Sequence, residues 1–119
     1  MNEIVHAADS TKTLYALVYD TSTRYIYDVG DTALEAIGTW NDVRAGECDI
    51  AMTAVGDAHF ANFPTVAHGI YFVVVRIQAG GSPDTDDKET GQGIMYWDGA
   101  KEISAVAYYD KLLNIYNET

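Results

Sequence analysis

The chain has 119 residues, a formal net charge of −11 and 48% hydrophobic residues. That is enough for one domain with one core, and too apolar for a disordered polar chain. Seven lysines and arginines stand against 18 acids, which argues against nucleic acid and anionic membranes as partners, since both are bound by clustered positive charge.

The single cysteine, Cys48, excludes an internal disulfide framework. The first residues, MNEIVHAADS, have neither a basic nor an apolar signal region, so the expectation is a chain made in a cytoplasm without a signal peptide. No run approaches the roughly 18 apolar residues of a membrane span.

Residues 1–12 are polar and weakly patterned and read as an arm. TLYALVYD (13–20) is the first clear strand, apolar on both faces and so expected to be covered on both sides. A Thr/Ser turn follows, and RYIYDVGD (24–31) reads as the second arm of a hairpin. TALEAIGTWNDVRAGE (32–47) is ambiguous between a helical turn and a short strand. It is read as an irregular segment with one strand, Trp40 covering the core.

ECDIAMTAVG (47–56) alternates and reads as a strand. DAHFANFP (57–64) is a short strand ended by Pro64. GIYFVVVRIQ (69–78) is the strongest strand, with Tyr71, Val73, Val75 and Ile77 on one face and Ile70, Phe72 and Val74 on the other. GQGIMYWDG (91–99) is another, closed by an Asp98-Gly99 turn and a short KEIS. Short strands at regular spacing predict an all-β fold: an antiparallel β-sandwich, Ig-like or jelly-roll-like, of about seven strands over residues 13–103.

The tail, residues 104–119, changes period. Ser104 is a plausible N-cap, and from Ala105 to Asn117 a wide apolar stripe forms around Val106, Tyr109, Leu113 and Tyr116, with Leu112 beside it. A helix this short is marginal alone in water and must dock on its own sandwich or on other subunits.

The chemical motifs are weak. Asp84, Asp86, Asp87 and Glu89 make an oxygen-rich loop that invites calcium. Lys88 stands where a ligand would be needed, so a solvated turn is the stronger reading. His6, His59 and His68 lack metal spacing. Cys48 sits between Glu47 and Asp49, which disfavours a thiolate. The G-x-G of GQGIMYWDG leads into a strand and is no phosphate cradle, and Asp98 reads as a turn residue. No catalytic residue and no cofactor are assigned. The aromatics, Trp40 and Trp97 above all, leave a carbohydrate-binding platform open as an alternative, as the acidic loop does a calcium-steadied adhesion module.

LYALVYD, FANFP, GIYFVVVRIQAGGSPDTDD and GQGIMYWDG, in that order, resemble a small β-sandwich module of structural proteins in tailed bacteriophages and prophages. The resemblance covers about residues 11 to 103; His59-Phe60 stands where the module shows an aromatic before F-P. It implies a non-enzymatic virion component: a head decoration or fibre protein, or a tail-fibre or adaptor module. Its partners would be other copies of itself, possible as a trimer, and other virion proteins. Contact residues expected from the patterning are Val106, Tyr109, Leu112, Leu113 and Tyr116 on the helix, and Ile70, Phe72 and Val74 on the strand.

Overall fold

In the computed structural model, the backbone is described for residues 2–117 and the side chains for residues 2–111. The elements in chain order are β1 (Ile4–Ala7), β2 (Thr13–Asp20), β3 (Ile26–Asp28), β4 (Ala33–Glu35), α1 (Asp42–Cys48), β5 (Ile50–Ala51), β6 (Thr53–Val55), β7 (Ala58–Ala61), β8 (Gly69–Gln78), β9 (Lys88–Trp97), β10 (Glu102–Ile103) and α2 (Ala105–Asn117).

Two antiparallel sheets pack together as a β-sandwich, and the chain ends in a helix. The larger sheet runs β10-β9-β8-β2-β3-β4, with β5 also on β2; the smaller runs β1-β7-β6. The centre of the large sheet is the pair β2 and β8, matched from Thr13 opposite Gln78 to Asp20 opposite Tyr71. These are the two most apolar strands; β2 is covered on both faces, and β8 on its inner face and, around Val74, on its outer one. Leu14, Ala16, Val18, Tyr71, Val73 and Val75 point toward the small sheet, where Ile4, Ala61, Phe63, Met95 and Trp97 close the main core. Tyr15, Leu17 and Val74 point the other way and meet Ile26 and Cys48, with Ile37, Trp40 and Phe72 at the margin. Burying each large apolar side chain contributes about 1.5–3 kcal/mol.

Within the main core, Phe63 is the joint. Its ring lies 4.5 Å from Trp97 and, edge-on, 5.3 Å from Tyr71. The Trp97 indole N–H donates to the Val66 carbonyl at 3.2 Å and the Tyr71 hydroxyl to the Ala67 carbonyl at 2.7 Å. So both large rings satisfy their polar ends while filling the core.

Three expectations change. Residues 1–12 are not simply an arm: Ile4–Ala7 pairs with β7, and Ile4 enters the core. The 32–47 segment holds, besides the short β4, a helix that the reading missed. Asn41 caps it, its side-chain oxygen accepting the Arg44 N–H at 2.9 Å, and Ala45 and Cys48 bury one face. Residues 47–56 are not one strand. Cys48 ends α1, and β5 and β6 join different sheets.

β9 bends at an irregularity between Val75 and Arg76 of its neighbour. Gly91 faces the small sheet there. A Cβ on it would lie 2.6 Å from the His6 ring, so a side chain there would displace that ring, and the glycine of GQG answers a packing need. No described helix is long and apolar enough to cross a membrane.

Candidate functional site

Among the described residues, an apolar surface lies on the outer side of β8 and β9 and continues onto α2. On this face Phe72 sits opposite Ile94, and Ile70 opposite Tyr96. The rings of Tyr19 and Phe72 are 6.5 Å apart. At the other end, Tyr96 meets Tyr108 at 5.8 Å and Tyr109 at 6.2 Å, and these two tyrosines meet each other edge-on at 5.6 Å. Ile94 is 51% exposed, Tyr109 50% and Val106 71%. The result is a continuous strip, Tyr19–Phe72–Ile94–Ile70–Tyr96–Tyr108–Tyr109, of the amphipathic aromatic kind that protein interfaces favour.

The chain positions this strip in two ways. Strand alternation brings Ile70, Phe72, Ile94 and Tyr96 to one face. The turn after β9 then sends α2 back across it. Asp98 holds that turn, accepting the Ala100 and Lys101 N–H groups at 2.8 Å each. Its carboxyl is held below the usual carboxylate value, first by the Lys101 N–H bond and then by the Ala100 one. Lys111 reaches back to it at 3.5 Å. Ser104 caps α2, its hydroxyl oxygen accepting the Ala107 N–H at 3.1 Å.

Of the contact residues expected from sequence, Val106, Tyr109, Ile70 and Phe72 fall on or beside this strip. Val74 does not: it is buried, packed under α1 with Tyr15, Leu17 and Cys48, because α1 covers that part of the strand face. Leu112, Leu113 and Tyr116 lie outside the described side chains. Ile94, Tyr96 and Tyr108 were missed. Their signal was present in the register, since Ile94 and Tyr96 alternate with the buried Met95 and Trp97.

The acidic loop does something else. Asp87 is buried and turned inward. Its carboxylate accepts the Tyr15 hydroxyl at 2.7 Å, the Asp84 N–H at 2.9 Å and the Ala79 N–H at 3.1 Å. Burial acts to raise its carboxyl, but these bonds outweigh burial and hold it below the ordinary value. Burial likewise pushes the Tyr15 phenol far up. Arg76 closes the loop by donating to the Asp87 and Thr85 carbonyls at 2.6 and 3.1 Å. Asp84 accepts the Asp86 N–H at 2.7 Å, and Asp42 reaches over from α1 to accept the Thr85 N–H at 3.0 Å. The four acids at 84–89 are not a converging set, and the bonds of the Asp84 and Asp87 carboxylates fold the loop.

The carboxylates that do converge are Asp28, Asp31 and Glu35, whose oxygens lie within 4.8 Å of one another. The chain places its own cation there. Arg44 is 2.6 Å from Asp28 Oδ2 and 3.5 Å from Glu35, and donates to the Ile37 and Ala36 carbonyls at 3.0 Å each. Asp28 is held low, first by the Asp31 N–H bond and then by Arg44 against the opposing effect of burial. Glu35 is pushed up, chiefly by its hydrogen bond with the Asp31 carboxyl. This network pins α1 to β3 and β4.

The remaining candidates are placed as follows. Cys48 is fully buried and burial pushes its thiol up to about 11, away from nucleophilic character. His59 is buried and donates through Nε2 to the Asp9 carbonyl at 3.0 Å. His6 meets the Thr90 hydroxyl at 3.2 Å. Trp97 is in the core and so offers no face to a sugar; Trp40 is half-buried against the α1 side of the sheet. Comparison with models of known protein families, with curated proteins and with solved structures finds no match.

Proposed function

We propose that this protein is a non-enzymatic structural module that acts by self-association and by docking to other proteins through the aromatic strip of β8, β9 and α2. The observation that carries this reading is the strip itself. Ile94, Val106 and Tyr109, each at least half exposed, continue a partly buried row of rings out to solvent. An acidic chain of this size that leaves such a row uncovered pairs it with another surface, because tyrosines and isoleucines give interface energy at low entropic cost.

The chemistry elsewhere supports the same reading. The carboxylates of Asp28 and Asp87, the most buried acids, are each engaged in holding two chain segments together. The setting in a tailed-phage or prophage virion, as a head decoration, fibre or tail-associated component, rests on the order of motifs in the sequence.

Light scattering across a dilution series tests the proposal. The expected result is an oligomer in which Ile94→Asp or Tyr109→Asp lowers the molar mass while the melting temperature stays near that of the parent. A monomer of the 13.0 kDa chain mass at every concentration, with no change on either substitution, overturns self-association.

A further inference from the structure

Along most of its length β9 is paired on one side only. β8 takes one edge from Lys88 to Trp97. On the other edge β10 takes Tyr96 and Trp97, and among the described residues no strand pairs with residues 91–95. β1 of the small sheet runs near this edge but pairs with β7 instead, and a groove of about 150 Å³ with Ile4, Val73, Val75 and Met95 in its walls lies between them. Gln92, Gly93 and Ile94 are exposed in succession, so the strand is open on both faces there. A free strand edge presents a row of backbone N–H and C=O groups, and what matches such a row is another extended strand.

Gly93 bears on how close that strand comes. Gly91 has a reason inside the chain, the His6 ring, but Gly93 has none. A Cβ on it would meet nothing within 4 Å, and its backbone is not in the left-handed region. The bulge does not account for it either. The residue skipped there is Thr90, between Glu89 opposite Arg76 and Gly91 opposite Val75. Glycine weakens a strand interior and marks places where another backbone approaches closely.

The stretch suits a second copy of itself. Residues 91–95 carry no charge, so two chains of net charge −11 meet along it without setting like charges opposite each other. Antiparallel pairing about a two-fold axis at Gly93 uses the whole free stretch, from the bulge to β10. It sets Gly93 opposite Gly93. On the inner face the large Met95 stands opposite Gly91, and on the outer face Gln92 stands opposite Ile94, a member of the aromatic strip. The two Ile94 side chains then lie on the diagonal, about 7–8 Å apart, and the strips of the two copies meet across the axis.

We propose that the free edge of β9 pairs with the same edge of a second copy about a two-fold axis at Gly93, joining the two large sheets into one. This deepens the self-association reading given above and rests on it.

Cross-linking reads the register. Gln92→Cys and Ile94→Cys chains are mixed and oxidised. Residues directly opposite have Cβ atoms about 4.5–5.5 Å apart, close to disulfide reach, whereas each variant alone has its two cysteines on the diagonal. The mixture therefore forms a disulfide between residues 92 and 94 about tenfold faster than either variant alone. Cys48 is buried and takes no part. Gly93→Val fits the single chain, where the space is open, but puts two branched side chains at the axis. Light scattering on it gives a dissociation constant raised by about tenfold, with a melting temperature no lower than the parent's. Equal cross-linking in the mixture and in either variant alone, or an oligomer that Gly93→Val leaves unchanged, overturns the edge pairing. If Tyr109→Asp still breaks that oligomer, the edge pairing alone has failed and the aromatic strip stands as the interface. A parent chain that is monomeric at every concentration overturns both. The cross-linking comparison is independent of how Gly93→Val folds.

Discussion

The two helices were built on opposite terms. α1 is short, is interrupted by Gly46 and has no apolar stripe worth the name, yet it is held from every side. Asn41 caps it, Ala45 and Cys48 are fully buried, and Arg44 bonds to two carbonyls and three carboxylates. α2 is nearly twice as long and has the stronger pattern. Among the described side chains it meets Tyr96 of β9 and pairs Lys111 with Asp98 of the following turn, and it leaves Val106 and Tyr109 to solvent. A helix that is finished inside its own chain needs few apolar residues, because polar bonds and small side chains seat it. Of the wide apolar face that α2 carries in the sequence, Val106 and Tyr109 are left exposed by its own chain. The excess is what the functional proposal uses.

The sharpest way to break this comparison is to remove what holds α1. Arg44→Met leaves the buried Asp28 carboxylate without its guanidinium and frees two carbonyls. We expect a loss of about 3 kcal/mol in urea unfolding, the size found when one partner of a buried pair is deleted. A loss below about 0.5 kcal/mol, the scale of an ordinary surface change, shows that α1 is not held by this network. Tyr15→Phe comes next. It removes one of the three donors to Asp87 and costs about 1–2 kcal/mol by the same measurement.

Acid should act on the same two carboxylates. Asp28 and Asp87 have folded-state pKa values below their ordinary ones, so the folded protein binds these protons less tightly than the unfolded chain. Their contribution is complete above the unfolded value and is lost as pH falls through the folded one. The melting temperature should therefore decline below about pH 4, and Asp87→Asn should flatten that decline. The smallest effect on stability belongs to α2. Tyr109→Ser should change unfolding by no more than about 0.5 kcal/mol, because the ring is half exposed, while lowering the molar mass seen by light scattering. A large stability loss there would mean that α2 is finished within its own chain, as α1 is.

The legible parts of the sequence were those whose burial follows a period. β2 and β8 are uninterrupted apolar runs, and the strands occupy the residues their patterns indicated. The helical stripe from Ala105 and the Ser104 cap were legible for the same reason. α1 was not, because its burial rests on one alanine, one cysteine and an arginine. The cue that existed was local: Asn41 followed by Asp42, a capping residue and an acid in the first turn. β1 is four residues long and only Ile4 is buried, so no period could mark it. In the acidic loop the residue types were plain, but nothing in their spacing showed Asp87 turning inward to a tyrosine 72 positions away.

Hydrogen exchange measured across a protein dilution series tests the central claim most directly, because it reads both helices in one experiment. The account predicts that amides of α2 and of the Ile94–Tyr96 part of β9 gain protection as concentration rises, while those of α1 exchange at a constant rate. Protection of α2 and β9 that does not change with concentration would contradict it, since the aromatic strip would then have no second copy to meet.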